Sequence, residues 1–74
     1  MLNDFREIMK EIYEIDNVEL NSNFKVDFGL SSFDFVNLMC LIEERYNVEL
    51  DEKRYRSINS VKEMIAYIEE LKNN

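Results

Sequence analysis

The sequence predicts an all-α protein, a small four-helix bundle with three long helices, a short third helix and a long first loop. Three observations lead there. Proline is absent and glycine occurs once, so the strongest helix breakers are missing from the periodic stretches. Three of those stretches repeat apolar residues at three- and four-residue steps, the pattern of helices with one buried face. No run alternates apolar and polar residues as a half-buried strand does.

The first helix is expected from Asp4 to Ile15, where Phe5, Ile8, Met9, Ile12 and Tyr13 share one face, with Asn3 or Asp4 as its cap. "DNVELNSN" has no helical stripe and opens a connection that reaches Leu30. Val18, Leu20, Phe24 and Phe28 supply the apolar side chains to pin it down. From Phe35 the helical period resumes through Leu38, Met39, Ile42 and Tyr46. Val36, Cys40 and Leu41 widen its apolar arc beyond a half-buried face, which predicts exposed apolar surface on this second helix. "NVELDEKRYRSI" breaks the period and leaves room for one turn around Glu52 to Tyr55. The last helix begins at a capping box of Ser60 and Glu63 and turns Val61, Met64, Ile65, Ile68 and Leu71 inward.

Length and composition narrow the function. The 74 residues read as one domain, 1–74, and a chain of that size buries only about 60% of the surface its unfolded form exposes. Such a domain has little room for an elaborate catalytic cleft. Histidine is absent and Cys40 is the one cysteine, so there is no internal disulfide, no Cys/His zinc site and no Ser-His or Cys-His pair. Cys40, on an apolar helix without a cationic neighbour, reads as packing rather than as a nucleophile. The net charge of -7 argues against nucleic acid as a partner. The charge is uneven, with four basic and thirteen acidic residues through Glu52 and a basic excess after it. "MLNDFREIMK" is polar and acidic where an export signal is basic and then apolar, and no apolar run approaches membrane-spanning length, so a cytoplasmic protein without membrane insertion is expected, and a monomer is the expected state.

The chemistry gathers in "DFGLSSFDF", Asp27 to Phe35. Ser31 and Asp34 have capping-box spacing before an apolar run, so Ser31 is assigned to the helix start. Ser32, at the first helical position, then points a hydroxyl outward beside free N–H groups and the positive end of the helix dipole, a place suited to a phosphate. Gly29 lets the loop turn into the helix, Phe28 anchors it inward, and Phe33 lies where a long apolar adduct can rest. A hydroxyl without a nearby base suits modification by another enzyme. Two other matches in this region are coincidental. "DFG" lacks every other part of a kinase site, and "DNVELNSNFKVD" has the length of a calcium loop but apolar residues at ligand positions.

"FKVDFGLSSFDFVNLMCLIEE", Phe24 to Glu44, resembles the signature of acyl carrier proteins, D-L-G-x-D-S-L followed by an apolar and acidic helix. Asp27 matches the leading aspartate, Gly29 the glycine, Ser32 the modified serine and Phe33 the leucine after it. The register extends over essentially the whole chain, including "SINSVKEMIAYI" against the family's last helix. The resemblance implies a bundle of the acyl-carrier type that catalyses nothing itself. It implies that Ser32 receives 4'-phosphopantetheine from coenzyme A through a magnesium-dependent phosphopantetheinyl transferase. The arm's thiol would then present acyl groups as thioesters to loading, synthase and transferase enzymes. Basic patches on those partners would dock against Asp34, Val36, Asn37, Cys40, Glu43 and Glu44.

The chain departs from the family pattern at Ser31, where an aspartate is usual, at Asn37, where a glutamate is common, and at Arg45 beside the Glu43 and Glu44 pair. Lys53, Arg54 and Arg56 make the short third helix basic. A specialised pathway and fatty acid synthesis both remain open, as does an aminoacyl, peptidyl or D-alanyl carrier. The competing class is an unmodified acidic helical interaction module. That reading accounts for the charge and the wide apolar arc but leaves Gly29, Ser32 and Phe33 unexplained.

Overall fold

The computed structural model describes residues 1–73 and contains four helices: α1, Leu2–Tyr13; α2, Ser32–Tyr46; α3, Glu52–Tyr55; and α4, Val61–Lys72. The all-α bundle with a short third helix is therefore the architecture observed. Among the described residues, no helix is long and apolar enough to cross a membrane.

α1 starts earlier and stops earlier than its sequence suggests. Neither Asn3 nor Asp4 caps it; the cap position is Met1, with no side-chain hydrogen bond. Asp4 is drawn away by tertiary contacts, accepting a hydrogen bond from the Tyr46 hydroxyl and pairing with Arg45 at 3.1 Å. The helix ends where Glu14 enters the left-handed region at φ 57° and the Ile15 N–H donates to the Met9 carbonyl at 3.0 Å. This wraps the last turn closed without a glycine. Ile12, expected inside, is 49% exposed.

The stripes on the other helices fall largely where expected. Phe35, Leu38, Met39 and Ile42 of α2 are buried, as are Val61, Met64 and Ile68 of α4. Ile65 and Leu71 are only partly buried, and α4 buries Tyr67 as well. The Tyr67 hydroxyl accepts a hydrogen bond from the Asp51 N–H at 2.9 Å, and its ring lies 4.5 Å from the Arg54 guanidinium, so α3 is fastened to α4.

The long loop is pinned more firmly than side-chain burial alone provides. Val18 and Phe24 are buried, but Leu20 is exposed. The backbone supplies the rest. The Phe24 N–H donates to Asn59, Val61 to Ser22 and Lys62 to Leu20, at 2.9–3.0 Å, stitching the loop to the start of α4. Phe24 is central to an aromatic cluster, with ring centroids 6.3 Å from Phe5, 6.0 Å from Phe28 and 5.3 Å from Phe35.

The Asp4 contacts predict a pH dependence. The Tyr46 hydrogen bond, followed by the nearby Arg45 charge, holds the Asp4 carboxyl below its ordinary value. A lowered carboxyl stabilises the fold above its unfolded pKa of about 3.9, and that stability is lost as pH falls through the folded value. Because the side chain is about a third exposed, the effect is at most about 1 kcal/mol after solvent screening. Asp4→Asn should therefore melt lower than wild type at pH 7, and the gap should close below about pH 4. A gap unchanged across that range would show that the carboxylate charge contributes nothing.

Candidate functional site

The site forms where the loop turns into α2. Asn23 organises the turn. Its side-chain oxygen accepts from the N–H groups of Lys25 and Val26, and its N–H donates to the Asp27 carboxylate at 2.6 Å. Asp27 thus shapes the loop with the oxygen that faces Asn23. Gly29 has φ 66°, in the left-handed region, and a Cβ placed there would meet nothing within 4 Å. Glycine is favoured by the backbone conformation and not by crowding. The Leu30 N–H then donates to the Phe24 carbonyl, and Leu30 is buried just before the helix.

The two serines have different surroundings. Ser31 caps α2: its Oγ accepts from the Asp34 N–H at 3.1 Å and donates to Asp34 Oδ2 at 3.0 Å, and its own N–H donates to the same carboxylate at 3.3 Å. Both halves of the capping box are present. Ser32 is exposed, and its hydroxyl takes no part in the side-chain hydrogen bonds of this helix start, which run between Ser31 and Asp34. Asp34 is further held by a Tyr13 hydroxyl that donates to its carbonyl at 3.2 Å. The N-terminal turn is thus tied by hydrogen bonds through Ser31 and Asp34, while the Ser32 hydroxyl takes no part in them.

Two surfaces diverge from Ser32. On one side lies a cleft of about 340 Å³ lined by Ser32, Phe35, Val36, Lys25, Tyr55 and Arg56. On the other, Phe33 is 74% exposed and begins an outward stripe through Asn37, Cys40 and Glu44 at helical spacing, with Val36 at the border of the two surfaces. The exposed apolar surface expected on α2 is therefore present. Asp34 and Glu43 have additional structural tasks. Asp34 is occupied by the capping box, and Glu43 is half-buried with Oε2 accepting from the Leu50 N–H at 2.8 Å. Arg45 does not lie idle beside the acidic pair; it reaches α1 and pairs with Asp4 and with Glu7 at 2.8 Å.

Neither Lys25 nor Tyr55 is marked as a site residue by the sequence, and Arg56 stands out there only by its charge. No local spacing reveals them, because they meet Ser32 through the path of the loop and the position of α3.

The site is thus an exposed serine at a helix start, beside a cleft, on a four-helix bundle, an arrangement chemically able to accept a covalent arm. Comparison with known proteins agrees. The family described as "Phosphopantetheine attachment site" matches residues 3–68. The chain is 32% identical over 71 residues to an acyl carrier protein of Phytoplasma mali, covering 93% of this chain and 84% of the relative. It is 36% identical over 59 residues to one of Zymomonas mobilis, covering 80% and 76%, and 32% identical over 59 residues to one of Campylobacter hominis, covering 80% and 75%. The chain belongs to the acyl carrier protein family, and its function is to hold acyl groups on a phosphopantetheine arm.

Proposed function

We propose that Ser32 is the residue that receives the arm, with the 74 residues acting as one carrier domain. The observation that carries this reading is the contrast between the serines: Ser31 is bound into the helix cap, whereas Ser32 is exposed at the same helix start and its hydroxyl takes no part in the cap. Ser32 Oγ would attack the phosphorus of coenzyme A that bears the pantetheine chain and lose its proton as the adenine nucleotide departs. A phosphopantetheinyl transferase with magnesium supplies the base that this chain lacks. When attached, the arm contributes a thiol that carries cargo as a thioester. The protein's own contribution is tethering, which raises the cargo's effective concentration at each partner. It catalyses no step itself. Intact mass after incubation with coenzyme A, magnesium and a broad-specificity transferase, followed by fragmentation, tests the assignment; an adduct located elsewhere, or none, overturns it.

Partners are transferase, loading and synthase enzymes with basic patches, in the cytoplasm, within fatty acid synthesis or a specialised pathway. The docking face is the stripe of Phe33, Asn37, Cys40 and Glu44, with Val36, Asp34 and Glu43 at its edges. Glu44 is exposed and makes no ion pair among the described residues, so it is the clean probe. Glu44→Lys should lower the transferase's kcat/KM by up to about fivefold, since an exposed pair contributes only about 0–1 kcal/mol. The wild-type rate should also fall with salt. Rates indifferent to salt and to the reversal, with Val36→Ala alone stopping transfer, would make the contact apolar instead.

A further inference from the structure

The cleft beside Ser32 is cationic, although the part of the chain that supplies Ser32 is strongly acidic. Four basic residues occur through Glu52. Three of them are matched to carboxylates: Arg6 with Glu19, Lys10 with Asp16, and Arg45 with Asp4 and Glu7. Lys25 alone of the four has no carboxylate partner among the described residues. The nearest acidic residue in sequence, Asp27, is turned to the Asn23 N–H. The Lys25 ammonium lies 6.0 Å from the centre of the Phe35 ring, over the wall of the cleft. Arg56 lines the same cleft from the end of α3. One of its terminal nitrogens contacts Glu52 in an exposed pair one helical turn away, which leaves the other donors of the guanidinium available. A cation left unmatched among so many carboxylates, lining one cleft with a second cation and an exposed hydroxyl, forms a place for an anion attached to that hydroxyl.

Resting on the assignment of the arm to Ser32, we infer that Lys25 and Arg56 bind its phosphodiester and thereby lay the arm along the α2–α3 cleft, on Phe35, Val36 and Tyr55, and not across Phe33. Two anions can belong to a loaded carrier: the phosphodiester and a carboxylate on the cargo. The phosphodiester is bonded directly to Ser32 Oγ, whereas cargo lies at the far end of a long arm, so proximity selects the phosphodiester. Ser32 and Phe33 open the 15-residue α2, so their backbone N–H groups lie at the positive end of its dipole, which favours an anion there. Glu52 is the carboxylate that competes for Arg56, and the contact is on the surface, so the arm is held reversibly and can be surrendered to a partner's active site.

The test compares backbone amide spectra of apo and holo protein, in wild type and in Lys25→Gln/Arg56→Gln, after intact mass has shown that the arm is attached. Failure of attachment speaks against Ser32; absent or salt-indifferent amide shifts in a protein that bears the arm speak only against the cation pair. In wild type, adding the arm should shift the amides of Lys25, Tyr55 and Arg56. The shifts should shrink at least about twofold from low to near-molar salt and should largely vanish in the double variant. The salt series reads the same contact without any variant, and the variant's apo spectrum reports its folding. The same shifts with a free thiol, an acetyl thioester and a succinyl thioester would support the phosphodiester. Shifts seen only with succinyl would assign the cations to cargo and overturn the inference. So would shifts that ignore salt and persist in the double variant, or shifts confined to Phe33 and Asn37.

Discussion

Ser32→Ala should accept no arm under conditions in which Ser31→Ala is modified, as read by intact mass. The effect should be all or none because, in the proposed attachment, the Ser32 hydroxyl is the bond-forming atom and no rearrangement of the helix start substitutes for it. Ser31 serves the helix instead. Its loss removes the acceptor for the Asp34 N–H and the hydroxyl donor to the Asp34 carboxylate, which costs about 0.5–2 kcal/mol of stability. Ser31→Ala should therefore melt lower than wild type and still gain the arm, while Ser32→Ala should melt near wild type and gain nothing. An adduct on Ser32→Ala, or its loss in a Ser31→Ala protein that remains folded, would move the attachment to Ser31.

Phe24→Ala should remove a large share of the protein's stability. Phe24 is 1% exposed and its ring meets those of Phe5, Phe28 and Phe35, so truncation opens a cavity between the long loop, α1 and α2. A buried Phe→Ala change costs about 3–5 kcal/mol, against roughly 4–11 kcal/mol for a domain of this length. The loop itself should loosen, because Phe24 also carries the backbone bonds to Asn59 and Leu30. Urea unfolding is the direct measurement, and a midpoint close to wild type would mean that the loop packs independently of the ring. Reduced arm addition is a further expected consequence, since the same loop sets the entry angle of α2.

Much of this protein is legible in the chain because its signals are local. The three-and-four spacing of Phe35, Leu38, Met39 and Ile42, the capping box of Ser31 and Asp34, and the glycine at φ 66° all act within a turn or two of backbone. Helix identity, the exposure of Ser32 and the exposed apolar arc of α2 come from such short-range rules. The tertiary structure alone decided the rest. Asp4 abandons the cap of α1 for Tyr46, 42 residues away, because an ion-paired and hydrogen-bonded carboxylate displaces an exposed cap. Glu43 turns from the surface to the Leu50 N–H, which otherwise lacks that partner. Lys25 and Arg56 come to line one cleft with Ser32 only once the loop is stitched to α4 and α3 is fastened by Tyr67. Contacts between distant residues depend on the path of the whole chain, and no spacing within the sequence encodes that path.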